Sequence, residues 1–90
     1  MIKITKAEPL PKMHVRLTFD DGVVKIIDVG ALVKGSVFEP SFRDPRFFKA
    51  VKRYRDGRGI YWPNEFDLCP DSLRYHMEGK IVKQGHLQPS

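Results

Sequence analysis

Cysteine is nearly absent from the chain, which has Cys69 alone among its 90 residues. A single cysteine cannot form an intrachain disulfide or a zinc site built from several thiolates, so neither is expected. No apolar run approaches the roughly 20 residues that a membrane span requires. The first residues also lack the apolar block of a secretory signal. These absences predict a cytoplasmic globular protein that has no membrane partner.

Signatures of catalysis are scarce as well. The histidines are His14, His76 and His86, and no G-x-S-x-G nucleophile elbow marks a catalytic serine. His76 falls on the predicted buried side of a helix, and Cys69 directly precedes Pro70, so structural roles are the simpler interpretation for both. The sequence therefore predicts no catalytic residue, no metal site and no cofactor.

The stretch from His14 to Val29 has the strongest pattern. Two runs of alternating apolar and polar residues flank Asp21-Gly22, a pair that suits a two-residue type I′ hairpin turn. Counting outward from that turn predicts one apolar face, made of Val15, Leu17, Phe19, Val24 and Ile26. Because an isolated hairpin is marginal in water, the rest of the chain must cover this face.

The flanking segments predict a single α+β domain over residues 1–79, followed by a loosely ordered C-terminal tail over residues 80–90. Its sheet is small and mainly antiparallel, with a central β-hairpin and strands at residues 1–5, 13–20, 23–29 and 59–63. Two short helices are expected on one face of the sheet. Asp44-Pro45 begins the first, which extends to about Tyr54, and Pro70 begins the second, which extends to about Met77.

Positive charge is concentrated in one window. Residues 43–58 contain seven Lys or Arg residues against two Asp or Glu residues, whereas the remainder of the chain is balanced. On the predicted helix, Phe47, Phe48 and Val51 face the core, and the opposite side carries Arg46, Lys49, Lys52 and Arg53. Such a face either contacts the acidic groups or phosphates of a partner or is simply the solvated side of an amphipathic helix. Both interpretations stay open.

A second candidate site, which we call the contact corner, consists of Trp62, Asn64 and Asp67. An exposed tryptophan beside an amide and a carboxylate can anchor a partner protein. The structural alternative is that Trp62 fills the core, Asn64 makes a tight turn and Asp67 binds turn amides. Both interpretations remain open for this corner.

Three motifs follow one another between Ile4 and Met77: LTFDDGVV, then VFEP with FRDPRFF, then IYWPNEFDLCPDSL. In this order they resemble the bacterial domain of unknown function 2442 family. In such proteins WPN is commonly followed by glycine, whereas Glu65 stands there in this chain. The resemblance implies a small α+β domain without an established activity, often encoded beside another small domain as in toxin–antitoxin pairs.

Three functions are compatible with these features. The first is a non-enzymatic protein-interaction or regulatory module, which binds a partner protein through the basic helix face, with the Trp62 corner as a secondary contact. The alternative is nonspecific nucleic-acid binding by the same cations, since no recognition motif accompanies them. The third is a small enzyme, which would need a pocket with at least two convergent titratable groups.

Overall fold

Two antiparallel sheets and four short helices make up the fold in a computed structural model, which describes residues 2–75 and 81–86. The larger sheet has the strand order β1-β2-β3-β7 and consists of β1 (Ile4–Leu10), β2 (His14–Phe19), β3 (Val23–Asp28) and β7 (Ile81–His86). The smaller sheet has the order β4-β5-β6 and consists of β4 (Lys52–Arg53), β5 (Ile60–Tyr61) and β6 (Asp67–Leu68). This architecture confirms the predicted α+β class with its central hairpin.

The helices are α1 (Val29–Val33), α2 (Glu39–Phe42), α3 (Pro45–Phe48) and α4 (Pro70–Tyr75). Of these, α3 and α4 begin where the sequence predicts, at Pro45 and Pro70. Asp28 Oδ1 accepts the Ala31 amide at 3.0 Å, and Asp44 Oδ1 accepts the Arg46 amide at 2.9 Å. Each carboxylate satisfies an amide that has no partner inside the first helical turn. A short 3₁₀ turn over Pro11–Met13 joins β1 to β2.

The central hairpin has a different register from the predicted one. Its loop is three residues long, Asp20 to Gly22, because the Gly22 amide donates to the Phe19 carbonyl and Gly22 has a φ of +87°. Glycine in this left-handed position is the usual solution for a three-residue hairpin loop. The one-residue difference turns β3 over, so its buried residues are Val23, Lys25 and Ile27, and the predicted Val24 and Ile26 lie on the other face.

Lys25 is therefore buried on the core side of β3, with 3% of its surface exposed. Its Nζ donates to the carbonyl of Arg74, in the last turn of α4. A helix C-terminus favours a cation because its carbonyls carry partial negative charge. The Arg74 guanidinium in turn binds Asp21 Oδ2 at 3.0 and 3.2 Å, which ties α4 to the hairpin loop.

Helix α3 is shorter than the predicted helix over residues 45–54. It ends at Phe48, and the residues that were predicted to continue it include Lys52 and Arg53, which form β4 instead. These two residues pair with Tyr61 and Ile60 of β5. Helix propensity over a few residues is a weak preference, and tertiary pairing outweighs it here. The four cations consequently do not share one helix face.

The C-terminal part also differs from the sequence prediction. Where a loose tail was expected, Ile81–His86 forms β7 and pairs antiparallel with β3. The edge of β3 would otherwise present unpaired backbone groups, and β7 satisfies them. The predicted positions of His76 and Met77 in the last helix lie outside the described residues. The same is true of residues 87–90.

An aromatic cluster joins the helices to the smaller sheet. Phe42 lies at its centre, with ring centroids 5.0 Å from Trp62 and 5.3 Å from both Phe47 and Phe66. Phe48 is buried as predicted, while Phe47 and Val51 are half-buried against the same core. Edge-on and tilted ring contacts of this kind stabilise a core beyond the area that they bury.

Candidate functional site

Four exposed cations lie on consecutive short elements between residues 43 and 52. We call this group the cationic patch: Arg43, Arg46, Lys49 and Lys52. Within the part of the chain that the structure describes, Arg43 alone among them pairs with an acid, at 3.7 Å from Glu39. The patch thus keeps three of the predicted site residues and adds Arg43.

Arg53, the fourth predicted cation, has a different role. Its guanidinium donates to the carbonyls of Tyr54 at 3.2 Å and Ile4 at 3.5 Å. The bond to Tyr54 is local, whereas the bond to Ile4 connects β4 to the start of β1, so Arg53 contributes to the contact between the two sheets. A substitution at Arg53 would disturb the fold as well as the surface charge.

A groove opens beside the patch, between the turn that follows β1 and the segment that contains α2 and α3. Its volume is about 540 Å³. Most lining residues are apolar, and three are cations; the lining is Pro9, Leu10, Pro11, Lys12, Met13, Phe42, Arg43, Pro45, Phe48 and Lys49. Sequence reasoning missed this groove because its two walls are distant in the chain.

The turn that forms one wall has an unusual backbone. Lys12 and Met13 have φ angles of +64° and +58°, which non-glycine residues rarely adopt. The loop is closed by the His14 amide, which donates to the Pro11 carbonyl. Backbone conformations of this kind cost about 1–3 kcal/mol each and tend to occur at functional sites.

The predicted contact corner has a buried tryptophan. Trp62 is 1% exposed, and its Nε1–H donates to the Phe48 carbonyl at 2.9 Å. Asn64 Oδ1 accepts the Phe66 amide at 3.1 Å, as expected for a turn residue. Asp67 instead accepts the hydroxyl of Tyr54 at 3.1 Å. In this arrangement the indole cannot contact a partner, and the three residues do not form one surface.

Glu65 occupies a left-handed backbone position in the same turn, with a φ of +71°. Its amide donates to the Trp62 carbonyl at 3.2 Å, and its side chain is exposed. A non-glycine residue pays roughly 1–2 kcal/mol for this conformation. This backbone geometry explains why glycine would suit the position after WPN.

Glu65→Gly is expected to raise the free energy of unfolding by about 0.5–1 kcal/mol, since relief of the φ strain exceeds the extra chain entropy of glycine. Urea denaturation followed by tryptophan fluorescence measures the change. Glu65→Ala is the matched control, because it removes the same carboxylate and keeps the Cβ atom. Equal stability of the two variants would show that backbone strain is not the cause.

A small polar pocket of about 340 Å³ lies on another side of the molecule, lined by Tyr54, Arg58, Asp67, Leu68 and Cys69. Burial, followed by the hydrogen bond to Asp67, raises the pKa of Tyr54 above its ordinary value. A phenol with a raised pKa stays protonated at neutral pH and is a poor base or nucleophile. The thiol of Cys69 is exposed and bonds Ser72 Oγ at 3.0 Å.

Other groups in the described part of the chain do not assemble into a metal or membrane site. Residues 2–75 and 81–86 contain no group of three or more His, Cys, Asp or Glu side chains that would hold a metal ion. His14 lies beside the Asp28 carboxylate at 3.9 Å. Among the same residues, no helix has both the length and the apolar character needed to cross a membrane.

Comparison with known protein families identifies one match, over residues 4–79, to the family described as "Protein of unknown function (DUF2442)". Neither the curated proteins nor the solved structures yield a match to this chain. The match covers most of the chain and includes strands β1 to β6, the cationic patch and the groove. The chain therefore belongs to the DUF2442 family of proteins of unknown function.

Proposed function

We propose that the protein is a non-enzymatic interaction or regulatory module that binds an acidic partner protein through the cationic patch. The observation that carries this proposal is the charge arrangement: four exposed cations lie within residues 43–52, and Arg46, Lys49 and Lys52 have no acidic partner among the described residues. The genomic arrangement implied by the family resemblance, beside a second small domain, supports it. A cytoplasmic location, consistent with the single cysteine, is part of the proposal.

A concentrated patch of one sign has a physical consequence for association. Cations that lie close together add to one local potential, which accelerates encounter with an oppositely charged surface and disfavours basic partners. The remaining described surface mixes both signs, as in the pairs of Glu8 with Lys6 and Arg16. The patch is therefore the surface on which an acidic partner would be oriented.

The triple variant Arg46→Glu, Lys49→Glu, Lys52→Glu is expected to abolish partner binding with little change in stability, because all three side chains are exposed. The measurement is affinity capture by the tagged protein from the native cell, with mass spectrometry of the captured proteins and a thermal melt of each variant. Arg53 is left unchanged because it bonds two backbone carbonyls.

The matched control reverses three exposed cations outside the patch, Lys3, Lys34 and Arg55, and changes the net charge by the same amount. We expect this control variant to capture the same partner as the unmodified protein. Loss of capture in both variants would indicate a general charge effect, and unchanged capture by the patch variant would contradict the proposal.

Nucleic acid is the alternative ligand of the same cations, since a phosphate backbone attracts any dense group of Lys and Arg. Filter binding of DNA and RNA distinguishes it. If about three phosphates are neutralised, affinity should fall roughly 40-fold between about 50 mM and 200 mM salt. Retention with this salt dependence, lost in the patch variant, would favour nucleic acid over a protein partner.

A further inference from the structure

The groove beside the patch has the size and lining of a small-ligand site. Its volume of about 540 Å³ falls within the range of pockets that hold small molecules. Apolar atoms come from both walls, with Leu10 and Met13 on one side and Phe42 and Phe48 on the other. Leu10 and Met13 are half-buried, so part of their apolar surface remains in contact with water. An apolar chain placed between these walls would remove that surface from water.

The charges on the groove restrict which apolar molecule fits. Lys12 stands on one wall, Arg43 and Lys49 stand on the other, and no acidic residue is among the lining residues. Lys12 and Lys49 have no ion pair in the described part of the chain. A cationic ligand would be repelled from both walls, and an anionic one would be attracted by both. The lining therefore selects for negative charge attached to an apolar body.

The position of Lys12 is fixed by its backbone. Lys12 and Met13 are held at φ angles of +64° and +58° in a turn of three residues between paired strands. A turn that is set before the ligand arrives does not need to be ordered on binding. One cation of the groove is thus carried by a preformed wall.

We propose that this groove binds an amphipathic carboxylate, a small molecule with an unbranched or aromatic apolar body and a single carboxylate group. The apolar body lies between the walls, and the carboxylate is held by Lys12 together with Lys49. The inference goes beyond the proposed function and does not depend on it. It assigns a ligand site to a surface that neither the sequence nor the family match identifies.

Titration of the full chain with octanoate and decanoate, followed by amide chemical shifts in NMR spectra, tests the inference. Saturable shifts are expected at the amides of Leu10, Met13 and Phe48. Decanoate should bind about 15-fold more tightly than octanoate, since it has two more methylene groups and each buried methylene group contributes about fourfold in affinity. Decylammonium, which has the same chain and the opposite charge, should bind about tenfold more weakly than decanoate.

Three outcomes would overturn the inference. They are an absence of saturable shifts up to about 5 mM decanoate, shifts that map outside the groove, and equal affinities for decanoate and decylammonium. Equal affinities would show that the groove binds an apolar chain without selecting the charge of its head group. A dimer in solution whose interface covers the groove would likewise show that a second copy is the occupant.

Separate variants distinguish this site from the cationic patch. Lys12 lines the groove and lies outside the patch, so Lys12→Asn should weaken decanoate about threefold or more and leave partner capture unchanged. Asparagine tolerates the left-handed backbone at this position. Arg46 and Lys52 do not line the groove, so the double variant Arg46→Glu, Lys52→Glu should weaken partner capture and leave decanoate affinity nearly unchanged. Failure of one proposal would therefore leave the other intact, and a decanoate affinity unchanged in Lys12→Asn would contradict the role of Lys12.

Discussion

Trp62→Ala is expected to lower the free energy of unfolding by about 4–5 kcal/mol. The side chain is 1% exposed and packs against three phenylalanine rings of the aromatic cluster. Its loss removes that packing and leaves the Phe48 carbonyl without the Nε1–H donor at 2.9 Å. Because a domain of this size has a stability of about 5–13 kcal/mol, much of the total would be lost. Urea denaturation followed by far-ultraviolet circular dichroism is the measurement, since the variant has no tryptophan.

The matched control is Trp62→Phe, which keeps a ring in the core and removes the hydrogen bond. We expect it to cost about 2 kcal/mol, from the orphaned carbonyl and a small loss of volume. A cost of 1 kcal/mol or less for Trp62→Ala would mean that the indole is not a core residue, and the partner-anchoring interpretation of this residue would return.

Gly59→Ala is expected to lower the free energy of unfolding by about 3 kcal/mol or more. Gly59 has a φ of +148°, and a Cβ atom there would lie 2.4 Å from the backbone carbonyl oxygen of Leu68. The contact joins the residue before β5 to β6, so relief would require the smaller sheet to separate. The Gly59 carbonyl also accepts the Tyr54 amide at 3.0 Å, which restricts movement of Gly59 away from Leu68. Chemical denaturation followed by tryptophan fluorescence measures the loss.

Gly22→Ala provides the comparison, because Gly22 also has a positive φ, +87°, but a Cβ atom would meet nothing within 4 Å. We expect Gly22→Ala to lower the free energy of unfolding by about 1–2 kcal/mol, which is the effect of a left-handed backbone alone. The difference between the two variants measures the clash with Leu68. Similar costs at both positions would show that the smaller sheet adjusts without loss.

The hairpin shows how far local patterns determine this fold. Alternation of apolar residues placed both strands correctly, since the predicted ranges 13–20 and 23–29 contain β2 and β3. The register was off by one because Asp21-Gly22 suits a two-residue loop and also the last two positions of a three-residue loop. The Arg74 carbonyl, which is distant in sequence, accepts a hydrogen bond from Lys25 Nζ and makes a lysine compatible with the core side.

The cationic patch and the groove also depend on tertiary contacts that local sequence patterns do not predict. Charge counting predicts a concentration of cations within residues 43–58, and the side chains of Arg46, Lys49 and Lys52 are exposed there. The helix that was predicted to carry them ends at Phe48, and Lys52 and Arg53 pair with β5. That pairing is a tertiary interaction, which no local sequence pattern signals. The groove is likewise formed by segments far apart in the chain.

The bond from Lys25 to the Arg74 carbonyl also bears on synthesis of the chain. The two residues are 49 positions apart, so at about 5–20 residues per second Arg74 is added to the chain roughly 2–10 s after Lys25. Both strands of the hairpin are therefore synthesised before the carbonyl that accepts Lys25 Nζ, and this hydrogen bond can form only after residue 74 has been added.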